Sequence, residues 1–184
     1  MSTQIDDQEI QRIVHRVVQD VLGAPNSQPI QAAGRKVVAI GADHGGFELK
    51  ETLKSEISTL GYEVLDVGTV SKEAVDYPDF AHAVAQAVGT GKAWRGVMID
   101  GAGIGSCIVA NKVPGVRAGM AYDVSSALNS REHNDTNVLT LGAGLIGVNL
   151  AKQIVKTWLQ TDFGGDRHAK RLDKIKAVER QYLK

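Results

Sequence analysis

The chain has 184 residues, 43% of them hydrophobic, and its 21 basic and 21 acidic side chains leave a formal net charge of zero. That length suits one α/β domain with a proper core, and the charge balance excludes a nucleic-acid surface or a basic membrane patch. A lone cysteine, no run near the ~20 apolar residues of a membrane span and no secretory signal together predict a soluble, cytoplasmic protein without an internal disulfide.

The first predicted element is an amphipathic helix over residues 1–23. Ile5, Ile10, Ile13, Val14, Val17, Val18, Val21 and Leu22 share one helical face, and Asp6, Asp7, Gln11, Arg12, Arg16, Gln19 and Asp20 occupy the rest. Asp6 and Asp7 suit the positive end of the helix dipole, and Gly23 with Pro25 marks its stop. Residues 24–35 lack an apolar period and read as a linker. The remaining 36–184 form the domain.

Within it, strands and helices alternate. Val37–Ala42 is a β-branched strand ending in Asp43-His44-Gly45-Gly46, and Phe47–Leu60 has helical spacing. Tyr62–Val67 reads as a strand, Asp79–Val88 as a helix, and Gly96–Ile99 as a buried strand ending in Asp100-Gly-Ala-Gly-Ile-Gly105, with a helix from there through Lys112. Val116–Ala121, Ser125–Arg131, Val138–Leu141 and Gly147–Leu159 continue the alternation, and Arg167–Leu183 is a charged helix. Such a series predicts a mainly parallel sheet with helices on both faces. Ligands bind such sheets beyond the carboxyl ends of the strands, so the loops at 43–46, 100–105 and 142–144 form the candidate site.

The 100–105 turn can aim successive backbone N–H groups at one point, an anion nest beside a helix start; packing alone also uses such turns. A dinucleotide site wants G-x-G-x-x-G in the first βα unit. Here that unit carries Asp43-His44-Gly45-Gly46, so no nicotinamide cofactor is expected. Asp100, at a strand end, suits either a carbon base facing a ligand or a cap on its own loop. Asp43 and His44 add polar groups to the same crevice. His133 suits either a proton relay or a structural place. Arg167 and Arg171, at i and i+4, suit phosphate or a solvated face. His44, His82, His133 and His168 are scattered without ligand spacing, so no metal is expected.

Six segments in order, Gly41-Ala-Asp-His-Gly-Gly46, Asp76-Tyr-Pro78, Gly101-Ala-Gly-Ile-Gly105, Ala110-Asn-Lys112, Arg131-Glu-His-Asn-Asp-Thr-Asn137 and Arg167-His-Ala-Lys-Arg171, resemble the family of ribose-5-phosphate isomerase B and galactose-6-phosphate isomerase. The resemblance runs from about Lys36 to the C-terminus. It implies Rossmann-like, three-layer αβα subunits around a five-stranded sheet, a homodimer or dimer of dimers, no cofactor, and aldose–ketose isomerisation of a sugar phosphate, ribose 5-phosphate first, through an enediolate. By position it implies that Asp43, His44 and Tyr77 bind the sugar and that His133 assists ring opening. Asn134 and the Gly101, Ala102, Gly103, Ile104, Gly105 loop would hold the enediolate oxygens. Arg167 and Arg171 would bind phosphate, reaching the partner subunit's site.

The chain departs from that pattern at three places. Asp100 stands where one branch has a Cys base, and Ser106 where another has a Glu, so a change of base to Asp100 is expected. Ala102 replaces a Ser or Thr hydroxyl. Gly144 replaces a phosphate arginine, a charge-assisted contact of about 1.5–3 kcal/mol. A non-catalytic sugar-phosphate binder, a C2 epimerase and an isomerase of a tetrose or hexose phosphate are the alternatives. Residues 1–23 with their linker resemble the encapsulation peptides of bacterial microcompartments, which implies shell or cargo proteins as partners and a place inside such a compartment; a dimer-stabilising arm and a disordered tail are the other readings.

Overall fold

A computed structural model describes residues 35–182; the expected helix of 1–23 and nearly all of the linker lie outside the described residues. The elements are β1 (Val37–Ala42), α1 (Phe47–Thr59), β2 (Glu63–Asp66), α2 (Tyr77–Gly89), β3 (Arg95–Asp100), α3 (Ile104–Ala110), β4 (Ala118–Met120), α4 (Val124–Asn134), β5 (Val138–Gly142), α5 (Val148–Gln160) and α6 (Asp166–Tyr182). The strands form one five-stranded sheet in the order β2-β1-β3-β5-β4, and every pairing is parallel.

The pleat explains both layers. Val38, Ile40 and Ala42 of β1, Val97 and Ile99 of β3, and Leu139 and Leu141 of β5 point to one face. There they pack against Leu49, Leu53 and Ile57 of α1, Ala127 of α4, and Ile154, Val155 and Trp158 of α5. Ala39, Met98 and Val138 point to the other face, against Ala81, Val84, Ala85 and Val88 of α2 and Ala110 of α3. A parallel strand buried on both faces must be apolar at successive positions, and β3 is buried along its whole length.

Two boundaries move residues that matter. Helix α2 starts at Tyr77, two residues before Asp79, because Asp76 is its N-cap and Pro78 sits in its first turn. Helix α4 starts at Val124, where Asp123 and Ser126 form a capping box, and runs on to Asn134 before Asp135 turns left-handed at φ 46°. His133 and Asn134 therefore lie on the last helical turn, not in a loop.

That last turn is anchored at the edge of the sheet where strands begin. Asp135 pairs with Arg117, just before β4, and with Arg131, both at 2.8 Å. Buried Arg95, the first residue of β3, donates to the carbonyls of Trp158, Leu159 and Thr161 at the end of α5. Burial, with Arg131 close by, pushes its guanidinium down to about 10, still charged at neutral pH.

Candidate active site

At the carboxyl edge the three predicted loops meet. The Asp43 amide donates to the Ile99 carbonyl at 3.2 Å, Ala143 to Asp100 at 2.8 Å, and Gly144 to Gly101 at 3.0 Å. Tyr77, from the first turn of α2, lies over the 101–105 loop: a Cβ on Gly105 would fall 2.6 Å from its hydroxyl oxygen, so only glycine admits the ring. Gly103 has φ 80°, the left-handed turn that opens α3. His44 is exposed, and its Nδ1 lies 3.1 Å from the carbonyl and 3.2 Å from the amide of Val75.

The two carboxylates of this crevice differ in what they already hold. Buried Asp43 accepts one bond, from the Gly46 amide to Oδ1 at 3.0 Å, and its Oδ2 accepts none among the described residues. Asp100 accepts four. Oδ1 takes the amides of Ala102 (2.8 Å) and Gly103, and Oδ2 takes the amide of Ser106 (3.2 Å) and the Ser106 hydroxyl. An ionised carboxylate offers about four lone-pair sites, so Asp100 is saturated by its own loop.

This corrects the expected anion nest. The Ala102 and Gly103 amides expected to hold enediolate oxygens point at Asp100, a built-in anion, and α3 has seven residues, too short for a strong dipole. The amides of Gly101, Ile104 and Gly105 make no such bond to Asp100. Gly144 is packed as a glycine: a Cβ there would sit 3.0 Å from the Gly101 carbonyl oxygen, so an arginine at 144 would require that backbone to yield.

The other predicted residues are at the opposite edge. Helix α4 leaves the carboxyl end of β4 and returns to the start of β5, which carries His133 and Asn134 to the amino edge. The Gly164 amide donates to the Glu132 carbonyl at 3.0 Å, which brings the start of α6 to the same place. There Glu132, His133, Asp162, Asp166, Arg167 and His168 line a cavity of about 360 Å³. Arg167 and Arg171 are exposed and form no ion pair among the described residues. The six residues of β3 separate the edges, a span of about 20 Å. Within one chain, Asp100 and His133 do not meet.

Sequence reasoning missed three neighbours. Tyr122, just past β4, holds its hydroxyl 3.5 Å from the Ala102 carbonyl, beside the position that lacks the expected hydroxyl; its signal is an aromatic at a strand end. Asn129 contacts His133 at 2.9 Å, four residues back on one helix face. His168 stacks on His133 with centroids 4.1 Å apart, a long-range pairing that no sequence spacing announces. Among the described residues no group of three or more His, Cys, Asp or Glu could hold a metal ion, and no helix is long and apolar enough to cross a membrane.

Comparison with known proteins gives one answer. The family described as Ribose/Galactose Isomerase matches residues 38–175. Ribose-5-phosphate isomerase B of Escherichia coli is 44% identical over 146 residues, covering 79% of this chain and 98% of that protein. D-erythrulose-4-phosphate isomerase of Pectobacterium atrosepticum is 41% identical, covering 78% and 95%. The structure of Clostridium thermocellum ribose-5-phosphate isomerase B superposes with a TM-score of 0.78 at 49% identity, covering 79% of this chain and 99% of that one.

Proposed function

The chain belongs to the ribose/galactose isomerase family and is a sugar-phosphate isomerase of the ribose-5-phosphate isomerase B type, and from that premise we propose that it interconverts ribose 5-phosphate and ribulose 5-phosphate in a site built by two copies of the chain. One observation carries the reading. Asp43, His44, Tyr77, Asp100 and the 101–105 loop gather at one edge of the sheet, while the cations suited to phosphate, Arg167 and Arg171, which form no ion pair among the described residues, lie at the other. A two-fold dimer lets each carboxyl edge face the amino edge of its partner.

In that site the sugar lies on Asp43, His44 and Tyr77, and its phosphate on Arg167 and Arg171 of the partner subunit. His133 of the partner subunit assists opening of the ring, and Asn134 of the partner subunit holds an enediolate oxygen. A base takes the proton from C2 and returns it to C1, while a proton moves from O2 to O1; atoms and charge balance without a redox cofactor. Asp100 serves as that base through Oδ2, once the Ser106 hydroxyl turns away and frees a lone pair. Asp43 is the second reading for the base, favoured by its uncommitted Oδ2.

A tetrose phosphate is the second reading for the substrate. It is favoured by Gly144, which brings no cation, and by the relative named D-erythrulose-4-phosphate isomerase. Residues 1–23 we assign to encapsulation, outside the catalytic work.

Proton NMR of ribose 5-phosphate in deuterated water tests the activity. Exchange at C2 with ketose formation is expected. Exchange with C2 inversion alone would make the protein an epimerase, and no exchange with any aldose phosphate tried would make it a binder.

A further inference from the structure

Two residues with no part in the proposed chemistry fix the geometry of His133. Asn129 lies one helical turn before it on α4, and the Asn129 amide nitrogen is 2.9 Å from His133 Nδ1. With the Asn129 amide in this orientation its nitrogen donates and Nδ1 accepts, which puts the ring proton of neutral His133 on Nε2; the flipped amide would put it on Nδ1. The second residue is His168 on α6. Its ring lies 4.1 Å from that of His133 with 11° between the planes.

His168 is itself constrained. Arg167 Nε is 3.3 Å from His168 Nε2. A guanidinium only donates, so Nε2 accepts and the proton of His168 is on Nδ1. That Nδ1 is buried with no hydrogen-bond partner among the described residues, in a residue only 8% exposed. An orphaned buried N–H costs stability, and what the arrangement provides in return is a flat neutral ring against His133.

We infer that Asn129 and His168 are positioning residues that hold His133 as its Nε2–H tautomer, so that it meets the sugar as a hydrogen-bond donor and not as a base. The catalytic consequence rests on His133 acting at ring opening; the tautomer does not. The charged and titratable groups facing the pair are Glu132 from α4, Arg167 and Arg171 from α6, and Asp162 and Asp166 across the cavity. Burial holds the His168 ring below the ordinary histidine range; any charge on His133, and those of Arg167 and Arg171, act in the same direction against Glu132, in keeping with a neutral His168 ring.

Long-range nitrogen–proton NMR correlations of the intact protein at neutral pH read the tautomer of His133 directly. The wild type is expected to show Nε2–H. Asn129→Asp offers only acceptors and should move the proton to Nδ1. His168→Phe keeps a flat ring and should leave the tautomer and line width of His133 unchanged, whereas His168→Ala should broaden its signals. A wild-type Nδ1–H or mixed tautomer, or a tautomer indifferent to Asn129→Asp, overturns the inference, as does equal behaviour of the folded Phe and Ala variants. In parallel, Asn129→Asp should slow ribose 5-phosphate about tenfold, the loss of one good hydrogen bond. It should spare erythrose 4-phosphate, whose phosphate-bearing oxygen cannot close the ring. If the tautomer moves and both substrates react as before, the positioning stands and the ring-opening role of His133 falls.

Discussion

The two edges of the sheet are finished in different ways. At the carboxyl edge Asp43, His44 and Asp100 are each held from within one chain: Asp43 through Oδ1 by Gly46, His44 by Val75, and Asp100 by Ala102, Gly103 and Ser106. At the amino edge Arg167 and Arg171 are exposed and form no ion pair among the described residues, and the rings of His133 and His168 are held by side chains. Backbone amides aimed at carboxylates give a crevice that needs no ligand to take shape. Free cations on a helix face give a surface whose partner must come from elsewhere. The first edge is preorganised, and in the proposed dimer the second is the half of a site that another copy would complete.

Mixed dimers break or confirm that division most sharply. Asp100→Asn damages only the carboxyl edge and Arg167→Ala only the amino edge, and each homodimer should be nearly inactive. Co-expressed at equal levels, half the dimers are mixed. Each mixed dimer has one site with both edges intact, so activity should recover to about a quarter of wild type. No recovery in verified mixed dimers would place both halves of the site in one chain, against the 20 Å estimate.

The next largest effect concerns Asp100 alone. Asp100→Asn should cost about 10²–10⁴-fold in turnover, the usual range for a lost general base. It also replaces an acceptor with a donor facing amides, so a fall in thermal stability is expected. Ser106→Ala separates the two roles: it frees a lone pair on Oδ2 and keeps the backbone donors. Turnover equal to or above wild type supports Asp100 as base. A loss matching that of Asp100→Asn, with Asp43→Asn more damaging still, would move the base to Asp43 and leave Asp100 as the anchor of its loop.

Much of this was legible in sequence because it depends on local rules. The β-branched runs ending in glycine turns gave the strands, and the alternation with helices gave a parallel sheet. The strand ends located the crevice: 43–46, 100–105 and 142–144 do meet. The saturation of Asp100 was visible only as one of two readings, since a sequence cannot say which way an amide points. The separation of His133 from Asp100 was harder still. Extending α4 from Arg131 to Asn134 adds one turn, yet it fixes His133 on a helix that has already crossed to the other edge. The stack of His133 on His168 joins residues 35 apart in sequence through the Glu132–Gly164 contact, which no periodicity encodes.

A smaller effect follows from the same stack. His168 is held below the ordinary histidine range, first by burial and then by His133, Arg167 and Arg171. The unfolded chain therefore takes up a proton where the native chain resists it, and stability rises with pH in that range. It should be complete above about pH 6.5 and fall as pH drops below it. His168→Phe should flatten that segment of the denaturant midpoint against pH. The Asp66 carboxylate does not confuse the measurement. Burial raises it, but hydrogen bonds from Lys50 and Lys54 outweigh that and hold it below 3.8, so its contribution is lost only in stronger acid. A slope below pH 6.5 unchanged in His168→Phe would assign it to other groups.

The smallest effect on turnover is expected from the largest deletion. Among the described residues both core clusters run from Val37 onward, and every residue of the proposed site lies beyond Ala42. Deleting residues 1–34 should therefore leave turnover, KM and recovery in mixed dimers unchanged. The sequence of that segment asks for a different partner: Ile5, Ile10, Ile13, Val14, Val17, Val18, Val21 and Leu22 recur at helical spacing, and a helix there would carry an apolar stripe too large to leave in water alone. If the stripe serves encapsulation, the deletion abolishes association with shell or cargo proteins, and fusing residues 1–34 to an unrelated soluble protein transfers it. Val14→Asp with Val18→Asp should destroy the transfer, because a charge on a face that must be buried is costly to desolvate. A truncated enzyme that falls to monomers, or loses turnover, would make the segment a structural arm of the dimer and end the encapsulation reading.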